Sequence, residues 1–285
     1  MDKYSCTILF NCNSQQGYKD LVSSTLDTLE FRPKVMNILV DEFSEMLYEL
    51  EFNLPYLLTL LEKTPSSVVL RSEKYDDSRV DSALTFSFRT EKDEHFALKR
   101  SSFSWTSGNL EFLLGSKTFA GLLANQNLVY CYCFNQDDAY SQSHTNRQNP
   151  NVGKRGILNN NSGEFILHDV DISQNWGRVL TGRGITLMAA PLMWFGDGFF
   201  DIIPKGKLLS FKYSTLVSSP NAECVCTKLF DFYDEPSKPE NRQKQKEFWK
   251  FFDLENQMKH WEEKNPIDAI AFLKARAAAK RKKKG

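Results

Sequence analysis

Histidine is scarce in this chain, with 4 in 285 residues, and the scarcity narrows the chemistry at once. A facial-triad metal site needs two His beside a carboxylate, and His95, His144, His168 and His260 form no paired motif that would supply them. Six cysteines are too few for a disulfide scaffold at this length, so they are read as reduced thiols. No apolar run reaches the roughly 20 residues that a membrane-spanning helix requires; the longest, Ile185 to Phe195 and Leu54 to Leu61, stop well short. Residues 1–10 hold one short apolar run without a basic leader, and Asn, Gln and Ser follow where a signal peptide places its cleavage site. A cytoplasmic location is therefore expected. The chain also lacks a Gly-x-Ser-x-Gly elbow, a Walker lysine and the dinucleotide glycine spacing.

What is abundant is aromatic surface. Twenty-two Phe, 10 Tyr and 5 Trp within a 41% hydrophobic composition offer enough apolar area to offset the entropy of ordering a core. Charge balances at 36 basic and 36 acidic residues, but seven of the basic ones (Lys274, Arg276, Lys280, Arg281, Lys282, Lys283 and Lys284) crowd the last dozen positions. Without them, 29 basic residues face 36 acidic ones. A negative body repels nucleic acid and attracts a basic partner, whereas the tail favours anionic surfaces.

Patterning predicts an α+β fold: a mostly antiparallel sheet with N-terminal and C-terminal helices packed against it. Residues 1–264 are read as one domain and 265–285 as a basic C-terminal helix or tail. Cys6 to Cys12 reads as a first strand, followed by a helix over Asp20 to Phe31. Val35, Ile38, Leu39, Phe43, Met46, Leu47 and Leu50 recur at three-and-four spacing after Pro33 and predict a helix. Leu54 to Lys63 predicts another. Leu84, Phe86 and Phe88 then alternate with polar residues and return through Phe103 and Trp105, a hairpin pattern. Leu128 to Phe134 is apolar on both faces, as a doubly covered central strand is. The polar stretch Gln136 to Asn161 is expected to be a surface loop. Gly163 to Val170, Ile185 to Phe195 and Cys224 to Phe232 are expected strands, and helices follow from Lys238.

Several groups are candidates for chemistry. Cys131/Cys133 and Cys224/Cys226 supply four thiols, but structural zinc sites space their cysteines by two to four residues to allow a knuckle. Strand alternation instead puts Cys131 and Cys133 on one buried face, and neither a metal nor a cofactor is expected. His168, Asp169 and Asp171, with Arg178 or Arg183, are the best hydrolytic or nucleotide-processing constellation. His168 and Asp169 point to opposite faces of a strand, which argues against a shared site. The glycine-rich run Gly177 to Gly184 reads as a turn. On the expected helix after Pro33, Asp41, Glu45 and Glu49 repeat every four residues beside Glu42, the kind of acidic stripe that meets a basic protein.

The stretch Pro191-Leu192-Met193-Trp194-Phe195-Gly196-Asp197-Gly198-Phe199-Phe200, with Ile203-Pro204 and Leu208-Leu209-Ser210-Phe211 after it, resembles bacterial polymorphic-toxin immunity proteins. The resemblance implies a cytoplasmic α+β protein that binds a cognate toxin domain, and it carries no catalytic residues over. Binding is thus favoured over catalysis: a non-enzymatic partner-binding protein, an immunity protein in the fullest form of the reading. Asp41, Glu42, Glu45, Glu49, Trp194 and Asp197 form the candidate partner surface. The dispersed hydrolase around His168, Asp169 and Asp171 is one alternative. An accessory protein touching nucleic acid or acidic membrane through Lys280, Arg281, Lys282, Lys283 and Lys284 is the other.

Overall fold

In the computed structural model, the residues described are 3–11, 15–26, 32–39, 47–62, 67–72, 83–89, 100–107, 109–143, 145–146, 149–158, 165–219 and 222–266. The strands are β1 (Tyr4–Phe10), β2 (Val35–Leu39), β3 (Leu47–Glu51), β4 (Ser67–Arg71), β5 (Ala83–Arg89), β6 (Arg100–Ser107), β7 (Leu128–Asn135), β8 (Thr145–Asn146), β9 (Asn149–Leu158), β10 (Phe165–Asp171), β11 (Leu180–Gly182), β12 (Ile185–Leu187), β13 (Leu192–Phe195), β14 (Ser214–Ser218) and β15 (Glu223–Lys228). The helices are α1 (Gln15–Leu26), α2 (Leu54–Glu62), α3 (Glu111–Gly115), α4 (Lys117–Leu123), α5 (Gln136–Ser143), α6 (Lys205–Leu209), α7 (Pro239–Phe252) and α8 (Leu254–Lys264).

Ten strands form one sheet in the order β14-β15-β13-β7-β1-β6-β5-β4-β2-β3, with antiparallel neighbours throughout. Alternation along β7 explains why both faces are covered. Cys131 and Cys133 turn to one side, where Cys6, Ile8, Phe86, Phe103 and residues of α1, α2 and α4 pack. Tyr130, Tyr132 and Phe134 turn to the other and stack at 4.8 and 5.6 Å between ring centroids. There they meet the layer of Phe195, Phe199, Phe248 and Phe252. β13 repeats the split, with Trp194 in the first layer and Met193 and Phe195 in the second. Each fully buried Phe contributes about 2–3 kcal/mol of burial, so the aromatic wealth of the sequence is the substance of both layers. An α+β fold with helices on both faces of an antiparallel sheet follows.

α7 seats itself by the same logic. Asn241, Gln245, Phe248, Trp249 and Phe252 are its buried residues, a four-three-one-three spacing that keeps one face inward. Asp253 then takes a left-handed conformation (φ 54°) that ends α7 and starts α8. Leu254, Met258 and Trp261 are the buried face of α8.

Three expectations are corrected. Where a helix is expected from Val35 to Leu50, the described residues form two strands, β2 and β3, while 40–46 lie outside the described residues. β2 pairs with β4 from Val35 opposite Arg71 to Leu39 opposite Ser67, and a partner 30 residues away leaves no mark on a local window. The loop expected over Gln136 to Asn161 contains α5, β8 and β9. Asn135 initiates α5 by accepting the Asp138 amide (3.0 Å), and β9 pairs with β10. The strand expected from Ile185 to Phe195 is divided into β12 and β13 by the buried segment Met188 to Pro191. The hairpin after Leu84 does form, β5 pairing β6 from Ala83 opposite Thr106 to Arg89 opposite Arg100.

Candidate functional site

The sequence places one acidic pair, Asp137-Asp138, just after β7 and another, Asp234-Glu235, in the segment that follows β15, and the fold brings both to one cleft. Gln136 fixes the start of α5: its amide donates to the Lys3 carbonyl (2.7 Å) and its side chain to Ser5 Oγ (2.6 Å). Arg242 of α7 then clamps Asp138 with both guanidinium nitrogens, Nη1 to Oδ2 at 3.0 Å and Nη2 to Oδ1. Arg242 also donates to Gln245 (2.7 Å), which in turn donates to the Ala189 carbonyl (2.9 Å). Such a bidentate fork fixes direction as well as distance, and α5 is held to the core by it.

The opposite wall is residues 231–237. Tyr233 accepts the Leu110 amide at its hydroxyl (2.9 Å) and donates that hydroxyl to Asn109 (2.5 Å). Tyr4 packs edge-on against Phe232 and Tyr233 at 5.2 and 5.0 Å. Asp231 accepts the Tyr233 amide, a bond that draws its carboxyl below the ordinary range. Between the walls lies an open cleft of about 300 Å³ lined by Asp137, Asp138, Asp234 and Glu235 together with Tyr4 and Tyr233.

The charge in the cleft is only partly answered. Asp138 has Arg242, and Asp234 has the exposed Lys238 at 3.8 Å. Among the described residues no ion pair reaches Asp137 or Glu235. Glu235 accepts the Ser237 hydroxyl but has no ion pair among the described residues, and carboxylates without one beside aromatic rings suit an ammonium or guanidinium group, which gains both a charge partner and a π face. Among the described residues no group of three or more His, Cys, Asp or Glu has the arrangement to hold a metal ion.

Of the hydrolytic constellation, Arg178 lies within electrostatic reach of Asp171, while Arg183 is engaged elsewhere. Asp169 and Asp171 are exposed on β10, and His168 stands opposite Arg155 in the β9 register. Asp171 accepts the Ser173 amide at 2.8 Å, the main cause of its lowered pKa. Arg178 is 1% exposed. Its guanidinium lies 3.8 Å over the Trp249 ring, pairs with Glu255, and donates to the carbonyls of Ser173 (3.0 Å) and Asn175 (3.2 Å). Burial lowers its pKa against the opposing effect of Glu255. Arg183 instead donates to the Asn265 carbonyl at 3.1 Å. The two arginines therefore hold opposite ends of α8, whose 11 residues span about 16 Å. Arg183 and Gly184, at φ 48° and 81°, make the two-residue turn between β11 and β12.

The remaining expected residues fall as follows. Trp194 is 9% exposed and packs edge-on against Phe119 at 5.6 Å; its ring is part of the core. Asp197 is exposed at the start of a 3-10 turn, Asp197–Phe199. Glu49 lies in β3, while Asp41, Glu42, Glu45 and the tail residues Lys280, Arg281, Lys282, Lys283 and Lys284 lie outside the described residues. Cys131 and Cys133 share the buried face with Cys6, whose sulfur is 3.8 Å from that of Cys131. The cleft residues Asp137, Asp138, Asp234 and Glu235 were not singled out by sequence reasoning. The available signal was local: an Asn-x-x-Asp start to a helix and two pairs of adjacent acids, one of them just past the end of a strand.

No protein-family model matches the chain, and no curated protein matches it significantly. Among solved structures it is similar to the Pseudomonas aeruginosa T6SS protein PA0821, with 9% identity and a TM-score of 0.48 over 89% of this chain and 73% of that one.

Proposed function

We propose that this chain is a non-enzymatic protein-binding protein, acting as an immunity-type inhibitor that neutralises a basic toxin domain. The observation that carries the reading is the cleft: Asp137 and Glu235 stand without a cationic partner among the described residues, in walls held rigid by Arg242 and by the Tyr233 hydroxyl. A preformed acidic cleft meets a Lys or Arg of a partner without an ordering cost on this side. Tyr140, 70% exposed on α5, the helix that carries Asp137 and Asp138, and Phe112, 57% exposed on α3, are aromatic side chains of the kind that interface centres favour.

The test is co-expression with the product of the neighbouring open reading frame, scored for survival and for co-purification. The unaltered chain is expected to protect and to co-purify, with binding that weakens as salt rises. The Asp137→Asn, Asp234→Asn, Glu235→Gln variant, checked for its native circular dichroism spectrum, is expected to bind at least about tenfold more weakly. Full-strength binding by that variant, or no association of the unaltered chain, sinks the reading.

A further inference from the structure

β14 is an end strand of the ten-stranded sheet, and its own sequence carries none of the usual features of a protected edge. Natural edges are blunted by charge, proline or bulges, yet Ser214-Thr215-Leu216-Val217-Ser218 has no charge and no proline, and its pairing with β15 runs without a register shift. Leu216 and Val217 point to opposite faces and are 46% and 42% exposed. The opposite edge, β3, contains Glu49 and Glu51. One edge of the sheet is thus charged and the other is not.

We propose that β14 pairs with β14 of a second copy of this chain, antiparallel about Leu216, so that the two large sheets become continuous. The strand is self-complementary in that register. Leu216 meets Leu216 of the partner subunit, Thr215 meets Val217 of the partner subunit, and Ser214 meets Ser218 of the partner subunit. Charge selects this occupant. The charged groups around the strand ends are already paired within the chain, Lys205 with Glu223 at 2.5 Å, Lys212 with Glu247 at 2.8 Å and Lys228 with Asp231 at 3.3 Å. A charged foreign strand finds no partner there, while a neutral copy of β14 meets no like charge. Pairing β14 with β3 of another copy would be head-to-tail and open-ended, whereas β14 with β14 closes as a two-fold dimer. Leu209 on α6, which packs by β14, is 37% exposed and extends the apolar surface.

The experiment is light scattering on the full chain from about 1 to 100 μM, the range in which so small an interface is expected to populate a dimer. The mass is expected to double across that range. Leu216→Lys sets two lysines opposite each other and is expected to stay monomeric, as is Leu216→Glu. An equimolar mixture of the two variants is expected to recover the doubled mass, a rescue that impaired folding does not produce. Hydrogen exchange of the 214–218 amides is expected to slow with concentration in the unaltered chain alone. A monomer mass at every concentration overturns the proposal and leaves the edge to a foreign strand. Dimerisation of Leu216→Lys alone, or a mixture that remains monomeric, overturns it as well.

Discussion

Replacing Arg178 gives the sharpest test of how the C-terminal helices are held. Its guanidinium is buried, stacked on Trp249 at 3.8 Å, paired with Glu255 and hydrogen-bonded to two backbone carbonyls. A charged hydrogen bond contributes about 1.5–3 kcal/mol and a desolvated cation–π contact about 2, while the desolvation of the guanidinium opposes both. Breaking a buried pair costs about 3–5 kcal/mol when the remaining charge is stranded. Glu255 is 45% exposed and rehydrates, so Arg178→Ala is expected near the bottom of that range, about 3 kcal/mol. In a chain of this size, where unfolding entropy is about 2.1 cal/mol/K per residue, that lowers Tm by roughly 5 °C. Arg178→Lys keeps the charge but loses the planar fork, and about 2 kcal/mol of destabilisation is expected. Glu255→Gln keeps an acceptor oxygen and is expected to cost about 1 kcal/mol. Urea denaturation followed by tryptophan fluorescence reads all three. A lysine variant as stable as the parent would refute the role assigned to the fork, and an alanine variant within about 0.5 kcal/mol would refute the latch altogether.

Two further outcomes are expected. A Cβ on Gly196 falls 2.3 Å from the Leu128 carbonyl oxygen, whereas one on Gly198 meets the Val129 side chain at 2.8 Å; Gly196→Ala is expected to cost about 3 kcal/mol and Gly198→Ala about 1, read as shifts in urea midpoint. Burial pushes the thiols of Cys224 and Cys226 up to about 11, so the unfolded chain loses these protons first as pH rises. Their contribution to stability is then complete below an unfolded thiol pKa of about 8.5 and lost by about pH 11. A Cys224→Ala, Cys226→Ala variant whose stability falls just as steeply across that window contradicts the assignment.

What the sequence made legible was the part governed by residue alternation. β7 announces its two faces through Tyr130, Tyr132 and Phe134 against Cys131 and Cys133, and the α7 stripe announces its docking side. β2 was illegible because Val35 and Ile38 fit either period until β4 is alongside. The cleft was illegible for a related reason. Asp137 and Asp234 are nearly 100 positions apart, and their walls meet through tertiary pairing: β13 lies between β7 and β15, and Tyr4 of β1 packs on Tyr233 and lines the same cleft as Asn135. The glycine-rich aromatic stretch was noticed for its composition, but its glycines answer to Leu128 and Val129 of another strand.

The position of β1 has a consequence for the order in which the fold is made. Seven residues separate four strands on one side (β14, β15, β13, β7) from five on the other (β6, β5, β4, β2, β3), and both flanking partners of β1 lie about 100 or more positions further along. During synthesis β1 is made before β6 and β7, its two partners in the sheet, and the closure of that long loop sets an entropic barrier to folding. Until β7 follows, the bare side of β1 is a template for any extended segment nearby. Slow passage through that interval exposes the nascent chain to aggregation, and mutations in β1 are felt first as a loss of yield.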